Sequence, residues 1–283
     1  PAVLRELPSF VRSPYMMKGL RLMREVNART RVIEGVTDLR AIGEGHLRGV
    51  AYRTRRGESA TINVDVLLLH QGVVPNVNMA NAAGCEMAWD EVQLCWKPVT
   101  DAWGRSSLPG ISIAGDGAGI AGAEAAACTG RLCALDVAAQ LGKVTQLERD
   151  NAAPPTPREL GRFARGRRFL DLMFQPPENF RRAAPDSTVC RCEEVKGRQV
   201  IEAVADFGAV GPNQLKSYLR CGMGPCQGRL CGLTVTEMIA AERKVSPAEV
   251  GYYRLRFPIK PLTVAEIASL PHEEDDVRAV VRI

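Results

Sequence analysis

The sequence is poor in histidine. Only His46, His70 and His272 occur in 283 residues, and none stands in a metal-ligand or triad spacing. Histidine is the side chain that most readily moves protons near neutral pH, so its scarcity argues against histidine-based catalysis; each of the three reads as a surface or packing residue. No run of 18 apolar residues occurs, so no transmembrane segment is expected. The net charge of +5 is mild for this length and gives no reason to expect nucleic acid as a partner. There is no signal-peptide pattern at the start. The chain begins with Pro1 rather than Met, and the expectation is a piece of a longer subunit. No base–nucleophile pair and no substrate-pocket signature stands out, so no catalytic residue is assigned. What remains is ordinary globular composition, 46% hydrophobic and 24% charged, with length enough for two domains.

Cysteine, by contrast, is plentiful and clustered. Five of nine fall in two short stretches, Cys190-Arg191-Cys192 and Cys221-Gly222-Met223-Gly224-Pro225-Cys226-Gln227-Gly228-Arg229-Leu230-Cys231. Side chains alternate along an extended chain, but a looping Cys-x-Cys can turn both sulfurs to one side. Such a pair does not easily bridge to itself, and structural zinc prefers Cys-x₂₋₄-Cys spacing. Four thiolates are the usual set of a 2Fe–2S cluster, which is the favoured reading over zinc or structural cysteines. The glycines of the second stretch let backbone approach a cluster. An apolar-periodic helix over 229–243 then turns its positive end toward the site. Unpaired cysteines at this density point to a reducing cytoplasm.

In chain order, a helix is expected over 9–28, followed by strands at 31–34, 37–42, 47–54 and 60–64, with turns at Gly43-Glu44-Gly45 and Arg55-Arg56-Gly57. Val64–Leu69 is a continuous apolar run of the kind that forms a buried parallel strand. It leads into Gly72-Val73-Val74-Pro75-Asn76. Residues 77–105 are irregular and carry Trp89, Trp96 and Trp103, read as buried aromatics; Trp96 is also a candidate flavin wall. A strand ends on Ala114-Gly115-Asp116, where Asp116 suits either a hydroxyl donor or a helix cap. Gly117-Ala118-Gly119-Ile120-Ala121-Gly122 matches G-x-G-x-x-G formally. The dinucleotide fingerprint also needs a second strand and an acid about 20 residues on, whereas Asp136 lies on the same expected helix, 121–141. The glycines are therefore read as room for a helix N-terminus beside a flavin. Cys128 and Cys133 on that helix read as core thiols. Pro154-Pro155-Thr156-Pro157 breaks the chain, and Thr156-x-x-Glu159 predicts a capping box. Leu160, Phe163, Leu170 and Phe174 line one side of the basic helix that follows. Three short helices, with stripes at Val200/Ile201/Val204, Leu215/Leu219 and Leu230/Leu233/Met238/Ile239, make the cysteine domain, and Tyr252–Pro261 reads as an extended tail. Glu273–Asp276 reads as a solvated acidic run.

These motifs carry a family resemblance. Cys190-x-Cys192, Asn213-Gln214-Leu215-Lys216 and Cys-Gly-Met-Gly-Pro-Cys-Gln-Gly-Arg-x-Cys-Gly resemble the bacterioferritin-associated-ferredoxin type of 2Fe–2S domain. The form found here is similar to the C-terminal part of the alpha subunits of opine oxidases, hydrogen cyanide synthase and related heteromeric amino-acid dehydrogenases. The run Val64–Asn76 resembles the end of the nicotinamide-type domain of two-dinucleotide-domain flavoproteins. The resemblance implies an α/β chain: residues 1–148 are the remnant of an FAD/NAD(P)-binding flavoprotein domain with a mixed sheet plus helices, 149–186 a linker with the basic helix, 187–245 a small all-α 2Fe–2S domain, and 246–283 a C-terminal tail. It implies Gly72, Gly115 and Asp116 as flavin-site residues, with Asp116 accepting from the ribityl chain.

The resemblance further implies an electron-transfer subunit, with FAD, or FMN at the interface with a partner subunit, and a 2Fe–2S cluster as cofactors. A catalytic beta subunit would oxidise the C–N bond of an opine or amino acid, and an electron acceptor of the respiratory chain would take the electrons at the inner face of the membrane. An NAD(P)H- or glycerol-3-phosphate-type dehydrogenase with the same cluster domain is the alternative, and a scaffold that only binds a partner is a third. Spacing alone does not choose among Cys221, Cys226 and Cys231, since each interval encloses four residues. The matching pair in related domains, together with the helix dipole beside Cys231, gives Cys190, Cys192, Cys226 and Cys231 as the expected ligands and Cys221 as a nearby non-ligating thiol. Arg191, Lys196, Arg198, Arg220 and Arg229 flank these sulfurs and are expected to favour the reduced cluster.

Overall fold

The computed structural model describes residues 2–271 and 273–275. Pro1, His272 and the residues from Asp276 onward lie outside them, so the end of the expected acidic run does too. The chain divides into two compact units, Pro1–Val73 with Pro157–Pro176, and Val74–Thr156 with Pro177–Ile283. This division crosses the boundaries expected near 148 and 186, because residues far apart in sequence pack together in each unit.

In the first unit, the helix expected over 9–28 is two helices, Ala2–Val11 and Pro14–Arg29. Proline has no N–H to continue the first helix; it starts the second, where the Ser13 hydroxyl accepts from the Tyr15 amide. The basic segment is likewise split, into Pro155–Ala164 and Arg167–Met173, at Gly166. Gly166 is left-handed (φ 76°), and a Cβ there would meet Ser13 and Phe10 at under 3 Å. Phe10 stacks on Phe169 at 4.3 Å, Tyr15 Oη donates to the Phe163 carbonyl at 2.9 Å, and Glu6 pairs with Arg168 at 3.1 Å. The Thr156 capping box does not form as expected, because the helix begins at Pro155 and places Thr156 inside its first turn. A capping box forms instead at Thr145/Glu148.

An antiparallel sheet of β1 (Val36–Glu44), β2 (His46–Thr54) and β3 (Ser59–Asn63) completes this unit. Its turns fall at the expected glycines, Gly45 and Gly57, both with positive φ. Residues 31–34 lie outside these strands, and Val64–Leu69 is not a buried parallel strand. Val66, Leu68 and Leu69 are 67–89% exposed. An apolar run becomes a parallel strand only when neighbours pair both edges and helices cover both faces, and the described residues contain no parallel strand for it to join.

In the second unit, the helix Asn78–Ala83 precedes a hairpin of β4 (Met87–Asp90) and β5 (Cys95–Pro98), where Trp89 faces Trp96 edge-on at 5.9 Å. A 3-10 turn, Gly115–Ala118, leads to the helix Ala123–Gln140. The next element is again a helix, Gln146–Ala152, so no strand follows the glycine run. Asp136, which the dinucleotide pattern would have needed on a strand, is buried in this packing with its side chain 1% exposed. Its carboxylate accepts from Arg105 (2.5 and 2.6 Å), Arg149 (2.8 Å) and Gln140 (2.6 Å), and Arg149 lies 4.3 Å over the Trp103 ring. The hydrogen bonds from Arg105, then those from Gln140 and Arg149, outweigh burial and hold its pKa down at about 2.

The cysteine domain adds a short hairpin, β6 (Thr188–Cys190) and β7 (Val195–Lys196), to the helices Gly197–Ala205, Pro212–Leu219 and Gly232–Arg243. The expected stripes meet in one core around Val200, Leu215, Val235 and Ile239, all fully buried. The last helix starts at Gly232 rather than 229, which leaves Leu230 68% exposed in the preceding turn.

The Asp136 network should be a main support of the second unit. Asp136→Asn removes charge-assisted hydrogen bonds and is expected to cost about 2–3 kcal/mol in urea unfolding. Because the folded pKa is depressed, this contribution is complete above the ordinary carboxylate pKa near 4 and lost as pH falls through about 2. Wild type and variant stabilities should therefore converge at low pH.

Candidate iron–sulfur site

All nine cysteines are free thiols, and five of them converge. The β6–β7 hairpin presents Cys190 inward, 1% exposed, and leaves Cys192 at the surface. The glycine-rich segment wraps around these two. Cys221 follows Arg220, a left-handed residue (φ 58°) that ends the helix Pro212–Leu219, and Cys231 occupies the N-cap position of the helix Gly232–Arg243. The Sγ atoms of Cys190, Cys221 and Cys231 lie within 4.8 Å of one another, all buried. Cys192 sits beside Cys226 and accepts from its amide. The close approach requires Gly224, where a Cβ would collide with that of Cys192.

The five sulfurs thus form a buried triad and an outer pair. A binuclear cluster takes two thiolates on each iron. The pair Cys192/Cys226 supplies one such set, and two members of the triad supply the other. Cys221, expected to be a bystander, lies as deep in the triad as Cys190 and Cys231.

Electrostatics within the triad follow from crowding. A hydrogen bond from Cys231 holds the Cys221 thiol down at about 7, against burial. The same bond, together with burial, pushes Cys231 up. The N-cap position does not by itself secure the thiolate of Cys231, because its sulfur neighbour is a stronger influence than the helix end. At Cys192, the Cys226 amide favours the thiolate, but the Cys226 thiol, partial burial and the Cys190 sulfur outweigh it and push the thiol up. Sulfurs that compete for protons at this range are suited to a shared cation, since ligation needs every thiol deprotonated.

The flanking cations are less free than their spacing implies. Arg220 pairs with Glu193 at 3.1 Å, and Arg198 pairs with Asp186. Lys196 donates to Thr188 Oγ1 at 3.0 Å, and Arg229 to the Ile259 carbonyl at 3.4 Å. Two of the five charges expected to favour the reduced state are therefore offset by acids.

Sequence reasoning missed the wall behind the sulfurs. Residues 250–255, assigned to a tail, are part of the core: Val250, Tyr253 and Leu255 are all buried. Asn213 clamps this strap, donating to the Tyr252 carbonyl at 3.2 Å and accepting from the Arg254 amide at 2.8 Å. Asn81 accepts from the Leu255 amide at 3.1 Å, and Asn78 donates to the Gln227 carbonyl at 3.0 Å. Tyr253 is completely buried, with its ring filling the space over Gly222 and Gly228. Both glycines have positive φ, and a Cβ on either would meet the ring at 2.5–2.6 Å. A glycine pair spaced to admit a ring, with a Tyr-Tyr dipeptide ahead of the prolines, was the available signal.

The expected flavin residues are not gathered into one place. Gly72 belongs to the first unit, where its amide donates to His70 Nδ1 at 3.3 Å and a Cβ would meet nothing within 4 Å. Gly115 and Asp116 belong to the second, in the turn before the helix Ala123–Gln140. The Gly115 amide donates to Thr129 Oγ1 at 2.9 Å. Asp116 is exposed, and one of its oxygens accepts from the amides of Ala121 and Gly122 at 3.1 and 3.3 Å, which is a capping role.

Comparison with known proteins agrees with this geometry. Residues 188–241 are a BFD-like [2Fe-2S] binding domain. Across nearly its whole length, the chain belongs to the family of the opine oxidase A subunits: it is 49% identical to the Rhizobium meliloti protein over 280 residues, 99% of this chain and 53% of that one. It is 29% identical to hydrogen cyanide synthase subunit HcnB of Pseudomonas aeruginosa over 82% of this chain and 51% of that one. The chain therefore spans about half the length of the curated relatives it matches. Its fold resembles the crystal structure of L-proline dehydrogenase from P. horikoshii, with a TM-score of 0.60 and 21% identity over 82% of this chain and 44% of that one. The matched iron–sulfur domain ends at 241, so the Tyr253 strap lies beyond it.

The fit of Tyr253 can be checked by substitution. Gly228→Ala combines a left-handed backbone with a collision against the ring and should cost roughly 2–4 kcal/mol. Gly208 is also left-handed (φ 66°) but has nothing within 4 Å of its Cβ position. Gly208→Ala should cost only about 1 kcal/mol. Chemical denaturation of the two variants measures the difference.

Proposed function

We propose that this chain is part of the electron-transfer subunit of a heteromeric, flavin-dependent amino-acid or opine dehydrogenase. The observation that carries this reading is the five-sulfur nest within a BFD-like domain, in a homologue of the opine oxidase A subunit. The donor set fits a 2Fe–2S cluster: soft thiolates, mostly buried, with backbone approach secured by glycine. Cys190, Cys192, Cys226 and Cys231 are its proposed ligands, with Cys221 the spare thiol of the triad. The bound cluster stores and passes single electrons. The chain's own contribution is to hold the sulfurs, to exclude water through Tyr253 and the 250–255 strap, and to set the charge around them.

Oxidation of the C–N bond is assigned to a partner subunit, as the subunit names of the relatives imply, and the electrons leave to an acceptor of the respiratory chain. No helix among the described residues is long and apolar enough to cross a membrane, so contact with a membrane acceptor would be peripheral. FAD is the proposed electron donor to the cluster, with Gly72, Gly115 and Asp116 contributing to its site. Asp116 keeps an exposed carboxylate beside a helix N-terminus, which suits a hydroxyl-bearing chain as donor.

Single Cys→Ser variants of the full subunit test the ligand set through iron content and the paramagnetic resonance of the reduced protein. Loss is expected at positions 190, 192, 226 and 231, and near-normal iron in Cys221→Ser. Iron lost in Cys221→Ser but kept in Cys231→Ser would exchange those two roles. Asp116→Ala is expected to lower flavin content by the equivalent of about 1.5–3 kcal/mol while leaving iron unchanged. Unchanged flavin would leave Asp116 as a cap alone.

A further inference from the structure

The Tyr253 hydroxyl is an anomaly in an otherwise satisfied core. Tyr253 is completely buried, and its Oη has no hydrogen-bond partner among the described residues. A buried O–H left unpaired is costly, and its retention calls for a group that the protein binds. The ring cannot turn away, because Gly222 and Gly228 grip it and Lys216 Nζ sits 5.1 Å over its face. The strap is pinned on both sides by Asn213 and Asn81. Oη is therefore held toward the sulfurs of Cys221 and Cys231, close enough to perturb both thiols.

We propose that Tyr253 is a positioning residue of the iron–sulfur site, whose O–H donates a hydrogen bond to the Cys221/Cys231 side of the sulfur nest and thereby raises the reduction potential of the bound cluster. This rests on the cluster reading above. Free thiols are weak acceptors, whereas a metal-bound thiolate carries negative charge and accepts strongly. Reduction adds a further negative charge, so the bond strengthens in the reduced state, and hydrogen bonds to cluster sulfurs are among the determinants of potential. The strap brings this determinant to the site from beyond residues 188–241.

Tyr253→Phe removes the oxygen and leaves the ring in its seat. The full-length subunit, iron-loaded, would be titrated with dithionite and mediators, with Tyr218→Phe as control; Tyr218 is half-exposed, and its hydroxyl reaches only the Phe207 carbonyl. Expected is full iron in both variants, with the reduction equilibrium of Tyr253→Phe shifted about tenfold against the reduced state, or about 59 mV for one electron, and that of the control unmoved. A Tyr253→Phe equilibrium within about twofold of wild type, well short of the tenfold expectation, would overturn the proposal. Should this variant not accumulate, replacement of tyrosine by 3-fluorotyrosine supplies a more acidic phenol and a stronger donor. The potential should then rise, and an unchanged potential would equally overturn the proposal. A wild-type subunit that takes up no iron–sulfur chromophore would instead reject the cluster reading itself.

Discussion

The second unit depends on one constraint: five thiols must share a space in which their own charges repel. Three of them lie within 4.8 Å of one another in a buried setting. Neutral thiols tolerate this arrangement, and thiolates do so only around cations. Much of the surrounding structure follows from keeping the sulfurs close. Gly224 yields room to Cys192, Arg220 turns left-handed before Cys221, and Cys231 begins a helix whose other face, at Val235 and Ile239, anchors the core. The protons of Cys221 and Cys231 are already unequally shared, one thiol held down and the other pushed up. A cluster that displaces them would turn repulsion into ligation, so part of the domain's stability is tied to its metal.

Around that nest, the chain combines charge compensation with enclosure. Arg220 and Arg198 are matched by Glu193 and Asp186, which tempers a flank that looks strongly positive on paper. Enclosure comes from a segment outside the matched domain. The 250–255 strap closes over the glycines with an aromatic ring, and asparagine side chains from two different helices hold its backbone. Stability in the same unit has a separate support in Asp136, whose two arginine partners come from a loop and from the next helix. The two supports differ in kind: one is electrostatic and sensitive to acid, the other steric and sensitive to added atoms.

The elements legible in the sequence are those with a local cause. The strands of the antiparallel sheet fall near their expected places because their turn glycines and alternating patterns are local signals. Helix boundaries depart from expectation where punctuation outweighs apolar periodicity: Pro14 and Gly166 each divide one expected helix into two. Val64–Leu69 departs for the opposite reason. Its apolar run is a strand signal only if neighbouring strands exist, and strand pairing is a property of the sheet rather than of the run.

By itself, the sequence determined the chemistry of this protein. Cys-x-Cys and a glycine-rich cysteine segment specify soft ligands with close backbone approach, and those residue types suit few other purposes. Tertiary structure decided the grouping of the sulfurs into a triad and a pair, the depth of Cys221, and the wall that encloses them. Asn78 and Asn81 act on residues 149 and 174 positions away, and Tyr253 acts on glycines 25 and 31 positions before it. Such partners meet only after the chain has folded, because nothing in their local sequence distinguishes a buried clamp from a surface asparagine, or a wall beside sulfurs from an ordinary tyrosine.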